Sequence, residues 1–222
     1  MTEYNEMLAR ATQAIREDRP DDLELALIFP AADSEGNISS IGFNFAGHNG
    51  IGFLHMAAWL GSEKCAALLL DNGADPSSAD TTGKTPLHLA SWRNIARMAK
   101  LLLDNGADPN ARDSTGMTPL HLAAMGDGVR AGDVLLKGGA HVDPRDNYGS
   151  APLHWAALKG RVVMAEFLMT HGADKTLTND AGNTALDVAK RQEADEIIAL
   201  LSGTEKPSFP PVLKNPKGPG SR

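Results

Sequence analysis

One interval organises this chain. Thr85-Pro86-Leu87-His88 returns 33 residues later as Thr118-Pro119-Leu120-His121, and after another 33 as Ala151-Pro152-Leu153-His154. One interval upstream stands Gly52-Phe53-Leu54-His55, and one downstream Thr184-Ala185-Leu186-Asp187. A second motif keeps the same phase: Gly73-Ala74-Asp75, Gly106-Ala107-Asp108, Gly139-Ala140-His141 and Gly172-Ala173-Asp174. Leucine runs precede most of these, as in Leu68-Leu69-Leu70 and Leu101-Leu102-Leu103. Two independent motifs in one phase mark a repeated supersecondary unit. A unit this short cannot bury its own apolar face, so its copies must stack.

The chemistry within the unit predicts helix, turn, helix, turn. Thr85 and Thr118 carry hydroxyls suited to capping a helix, and Pro86 and Pro119 then fall at the first helical position, where a missing N–H costs nothing. Gly61, Asn94, Asp127 and Gly160 follow the first helices, and these residue types best tolerate the left-handed conformation that ends a helix. Second helices are expected over 64–70, 96–103, 131–136 and 162–169, stopped by Gly73, Gly106, Gly139 and Gly172. Polar turns ending in Gly83, Gly116, Gly149 and Gly182 complete each unit.

The Thr-Pro-Leu-His and Gly-Ala-Asp motifs resemble those of the ankyrin repeat family. The resemblance implies an all-α repeat solenoid, stacked helix-turn-helix repeats with β-turn or hairpin fingers. It covers five repeats at about 44–76, 77–109, 110–142, 143–175 and 176–202. The last carries Asp187 in place of His and exposes Glu193, Asp195 and Glu196, as a terminal repeat requires. Residues 1–43 read as a degenerate N-terminal capping repeat, with short amphipathic helices over 7–15 and 22–29, and a long Gly- and Asn-rich connection over 34–52. Residues 203–222 form a tail with five prolines and a flexible reading.

Charge narrows the partner class. The net charge of −7 argues against nucleic acid, whose affinity comes from basic side chains on phosphates, and against an anionic membrane. No run approaches the length of apolar residues a membrane helix needs, and 1–10 has no apolar signal core, so a cytoplasmic location is expected. Cys65, the single cysteine, permits neither an internal disulfide nor a cysteine-based zinc site, and beside Ala66 and Leu68 it reads as a buried small hydrophobe.

Catalysis finds no support. His55, His88, His121 and His154 occur once per repeat, so they form a ladder rather than converging on one metal ion. Each imidazole is expected to bond nearby backbone and tie repeats together. Asp75, Asp108 and Asp174 read as turn acceptors, and His48, His141 and His171 as loop residues. The glycines of 47–52 follow no strand, so they do not make a phosphate loop. No catalytic residue, metal site or cofactor is assigned. Asn110 matches the place where some ankyrin proteins are hydroxylated, a modification the resemblance permits.

Recognition has better candidates. Four residues after each ladder histidine come Trp59, Trp92, Met125 and Leu158, followed by Leu60, Arg93, Gly126 and Lys159. In proteins similar to this one, that place is variable and faces the concave groove. These side chains either fill gaps between helices or form an apolar strip for a partner, and the repeat register favours the strip. Arg112, Met117, Arg145 and Tyr148 lie in the fingers, free of the core pattern and available to specify a partner. The expected function is non-catalytic binding of a protein through the groove and fingers, as an adaptor, inhibitor or sequestering factor. The alternative is a regulatory or structural subunit of a stable complex or homo-oligomer. An enzyme with an unrecognised site ranks below both.

Overall fold

A computed structural model describes residues 2–28 and 47–203. Among them are twelve α-helices in six pairs: α1 (Thr2–Arg16) with α2 (Pro20–Ile28), α3 (Phe53–Leu60) with α4 (Glu63–Asp71), α5 (Pro86–Trp92) with α6 (Ala96–Asp104), α7 (Pro119–Met125) with α8 (Val129–Lys137), α9 (Pro152–Leu158) with α10 (Val162–Thr170), and α11 (Ala185–Arg191) with α12 (Asp195–Ser202). The described residues contain no strand; Thr178 and Thr184 form an isolated antiparallel bridge. The result is an all-α solenoid.

The first helices pack in one row, α1 on α3, then α5, α7, α9 and α11. The second helices pack in a parallel row, from α2 on α4 to α10 on α12. Small side chains let the rows approach: Ala57, Ala90, Ala123 and Ala156 are wholly buried, each two residues after its ladder histidine. Leu87, Leu120 and Leu153 bury the leucine of each motif, and Leu69, Met98, Leu102, Leu135, Met164 and Leu168 fill the space between the rows. Cys65 is wholly buried, its Sγ 3.6 Å from the Ala14 carbonyl, and burial pushes its thiol up to about 12. It is the inert side chain the sequence suggested.

The turns also follow the sequence reading. Gly61, Asn94, Asp127 and Gly160 all have positive φ, from +55° to +78°. Glu193 and Asp18 join them at +54° and +50°. Asn94 and Asp18 do more than turn the chain. Asn94 Oδ1 accepts the Ala131 N–H in the first turn of α8, and Asp18 Oδ1 accepts the Lys64 and Cys65 N–H groups in the first turn of α4. Each turn therefore caps a second-row helix of the next pair, satisfying donors that the helix itself cannot.

Three expectations are corrected. The Thr85 and Thr118 hydroxyls do not cap the helix N–H groups; each lies against the Nδ1 of the histidine three residues on, at 2.9 and 3.0 Å. Only Thr184, where Asp replaces His, accepts a helix N–H, that of Asp187. The second helices run one or two residues longer than expected at their ends, and α1 begins at Thr2 rather than at residue 7. Phe29, the connection over 34–46 and the tail over 204–222 lie outside the described residues.

Candidate interaction surface

The ladder histidines are committed to structure. At His88, Nδ1 accepts the Thr85 N–H at 3.1 Å, and the Thr85 hydroxyl donates to the same nitrogen. The proton must then sit on Nε2, which donates to the Met117 carbonyl, 29 residues on, at 3.1 Å. His55 does the same to Lys84, His121 to Ser150 and His154 to Asn183. Burial pushes all four imidazoles below their ordinary value, against the pull of the carbonyls they contact. They are neutral at pH 7. Among the described residues no group of His, Cys, Asp or Glu could hold a metal ion.

The fingers lock to one another with a second periodic set. The N–H groups of Thr81, Ser114, Asn147 and Asp180 donate to the carbonyls of Asn49, Thr82, Thr115 and Tyr148, one bond at each junction. Such close contact leaves little room: a Cβ on Gly83, at φ +77°, would sit 2.8 Å from the Ser114 nitrogen. Asp75, Asp108 and Asp174 are turn acceptors, each Oδ1 taking the N–H two residues on. His141 donates its N–H to Asn110 Oδ1 at 2.9 Å, while Asn110 Nδ2 donates to the Gly139 carbonyl at 3.1 Å. Both ends of the Asn110 amide thus bridge neighbouring turns. His171 caps the end of α10, its ring 4.1 Å from that of Phe167.

This locking reassigns three finger residues. Arg112 donates to the Arg145 carbonyl at 2.6 Å and lies 3.3 Å from Asn147 Oδ1. Arg145 donates to the Thr178 carbonyl, also at 2.6 Å, with Asp180 3.8 Å away. Both arginines are exposed, yet each clamps the next finger rather than standing free. Met117 is not at a finger tip: it is 9% exposed. Its N–H donates to Asp113 Oδ1 and its carbonyl accepts from His88, so the chain is already turning back into the stack. Burial raises the Asp113 carboxyl, but the hydrogen bonds from Thr115 and Met117 outweigh it and hold the group below its usual range. The nearby Lys84 ammonium, 3.3 Å from Oδ2, adds to this. Tyr148 remains exposed at 64%, with its N–H on Asp146.

The strip along the first-helix row is unequal. Trp59 and Trp92 are exposed at 41% and 40%, whereas Met125 and Leu158 are half-buried. Arg93 and Lys159 are exposed. The Arg93 guanidinium lies over the Trp59 ring, 4.9 Å from its centroid. One repeat on, the corresponding residue is Gly126, which has no side chain to lay across Trp92. A Cβ there would meet the Trp92 carbonyl at 2.6 Å.

Two hollows flank the strip. One, of about 500 Å³, lies where α1 meets the first-helix row and is lined by Thr12, Arg16, Ile51, His55, Met56, Trp59, Leu60, Asp80 and Leu89. The other, of about 360 Å³, is lined at the far end by Tyr148, Trp155, Leu158, Val188, Arg191, Gln192 and their finger neighbours. Trp155 is steadied there by Nε1, which donates to Asp146 Oδ2 at 2.8 Å.

Met56, Leu89, Trp155 and Val188 were absent from the sequence candidates, although the same period marks them. Each follows directly after the ladder position, and residues three apart on a helix share a face with Trp59, Trp92, Leu158 and Arg191. Arg16 and Ile51 carry no such mark. They come from the long first pair and from the turn before α3, outside the regular period.

A family model described as ankyrin repeats matches at residues 13–113, 110–179 and 135–208. No curated protein matches the chain. No helix among the described residues is long and apolar enough to cross a membrane.

Proposed function

Because the chain belongs to the ankyrin repeat family, whose members are generally protein–protein interaction modules and typically non-catalytic, we propose that it binds a protein partner along its first-helix row. Trp59, Trp92 and Arg93 are the anchors, with Met125, Leu158 and Lys159 continuing the surface and Tyr148 at its finger edge. The protein acts by occupying that partner, as an adaptor, inhibitor or sequestering factor.

The supporting observation is the pair of half-exposed tryptophans on one row of a stack whose other periodic residues are bonded inward. Indole exposed to water is costly, and packing needs no indole at either place. Tryptophan and arginine are also the residues most enriched where interfaces carry their binding energy. The preformed stack loses little conformational entropy on docking. The net charge of −7 supports a protein rather than a nucleic acid as the occupant.

Capture of partners by the immobilised full chain, wild type against Trp92→Glu, tests this. Circular dichroism first establishes that the variant keeps its helices and melting temperature. Loss of the captured protein from the folded variant is expected. Its retention moves the site off the first-helix row and overturns the proposal.

A further inference from the structure

The hollow beside α1 has a chemical character beyond being apolar. Ile51, Trp59 and Leu60, all exposed, line it together with the half-buried Met56 and Leu89. Its volume of about 500 Å³ lies in the range of sites that enclose a ligand group. Two cations border it. Arg16, the last residue of α1, is in the lining, and Arg93 lies over Trp59. Among the described residues neither forms an ion pair with a carboxylate, whereas Arg19 pairs with Glu17 and Asp22, and Arg145 lies near Asp180. The carboxylate in the lining, Asp80, has Oδ1 taken up by the Thr82 and Lys84 N–H groups and the Thr82 hydroxyl. In a chain with seven excess negative charges, two guanidinium groups against the Asp80 carboxylate leave this apolar hollow with a local excess of positive charge.

We propose that this hollow takes a short peptide segment of a partner protein, carrying an apolar anchor side chain next to Asp or Glu. The anchor enters between Met56, Trp59 and Leu60, and the flanking carboxylate pairs with Arg16 and Arg93. This rests on the first-helix row being the binding face. Charge decides among the occupants. The chain's own tail, with Lys206, Lys214, Lys217 and Arg222 against Glu205, is basic and would set like charges against both arginines. A second copy docked about a two-fold axis would bring the same two arginines towards themselves. An acidic segment of a partner meets both the apolar lining and the cations, and guanidinium forks suit carboxylates in two-bond geometry.

The test is selection of a displayed library of random short peptides on the immobilised full chain, repeated on Arg16→Glu/Arg93→Glu. Melting temperature checks the fold of that variant, and Arg93→Lys keeps the charge without the guanidinium fork. Peptides with an aromatic or aliphatic residue beside Asp or Glu are expected from the wild type. Their affinity should fall about tenfold or more on the double charge reversal, fall with added salt, and fall by a smaller factor in Arg93→Lys, which keeps the charge and loses the fork. The reversed protein should instead select anchors flanked by Lys or Arg.

Selection of basic peptides by the wild type would give the hollow to the tail and overturn the proposal. So would a charge-blind consensus, no enrichment, or a mass that doubles with concentration by light scattering and is restored to the monomer by the charge reversal. If Trp92→Glu abolishes partner capture while peptide selection shows no acidic bias, the groove reading stands and this inference falls. If capture survives Trp92→Glu and no peptide is enriched, both fall.

Discussion

The ladder histidines and the strip four residues behind them share the same helices and the same interval, yet end in opposite environments. The ladder is nearly invariant in identity, and its four histidines are buried and bonded at both ring nitrogens. The strip varies from Trp to Leu and is about two-fifths exposed at its first two positions. The difference teaches how to read a period. A residue type that recurs is answering the same backbone geometry each time. A position that recurs while its residue changes is answering something outside the stack, or the changing gap between neighbours. Half-buried Met125 and Leu158 illustrate the latter.

The comparison can be broken most sharply at His121. Replacement by Ala removes the Nε2 bond to the Ser150 carbonyl, which keeps the Asp146 N–H, and takes away the acceptor of the buried Thr118 N–H. One unsatisfied backbone donor, a lost hydrogen bond and a cavity should cost about 2–4 kcal/mol, read from urea unfolding. The same measurement on Trp92→Glu should move stability by no more than about 1 kcal/mol. Similar losses from the two variants would erase the distinction drawn here.

Gly126→Ala comes next. Its Cβ would press on the Trp92 carbonyl at 2.6 Å, so the α7–α8 turn must shift, at about 1–3 kcal/mol in the same assay. An unchanged midpoint would mean that the turn yields freely and that Gly126 is not needed for the approach.

Acid should weaken the ladder and leave the strip alone. Burial holds the four imidazoles below the ordinary histidine value of about 6.5 in the folded chain. The unfolded chain therefore takes up protons that the folded one refuses. This stability is fully present above about pH 6.5 and is lost as pH falls below it towards the lowered folded values. Melting temperature should drop between about pH 7 and pH 5, and His121→Gln should flatten that slope. Asp187 takes no part there: its hydrogen bonds from Thr184 lower its carboxyl, so its contribution is lost only in more acidic solution. A melting temperature flat across this window would contradict neutral buried imidazoles.

The smallest effect belongs to Arg112→Gln. The side chain is exposed, and its loss should cost about 0.5–1 kcal/mol despite the 2.6 Å contact to Arg145. A loss as large as that of His121 would place the finger clamps on a par with the ladder.

Most of the fold was legible because its causes are local and repeated. Positive φ at Asn94 and Asp127 follows from side chains that tolerate it, and burial of Leu87, Leu120 and Leu153 follows from their fixed place behind the cap. The failures have one source: a rule applied to one residue without the partner its side chain meets. Arg112 and Arg145 stand 33 apart, the same spacing that excludes the histidines as a metal site, and each clamps the finger ahead of it. Thr85 looks like a helix cap until the histidine three residues on is seen to contact its hydroxyl. Trp155 was hidden for a similar reason, since its orientation depends on Asp146 in the preceding finger. Of the surface, the sequence marks Trp59 and Trp92 by position, but the hollow beside α1 needs Arg16 and Ile51, which no interval connects to them.

The fingers make a further demand on the molecule when it is pulled. Their main-chain bonds occur once per junction, from Thr81 on Asn49 to Asp180 on Tyr148, along the direction of stacking. Tension between the two ends therefore passes through the junctions in series, and each resists with this bond, the histidine bond beside it and the packed helix rows. A stack loaded in this way yields first at its weakest junction.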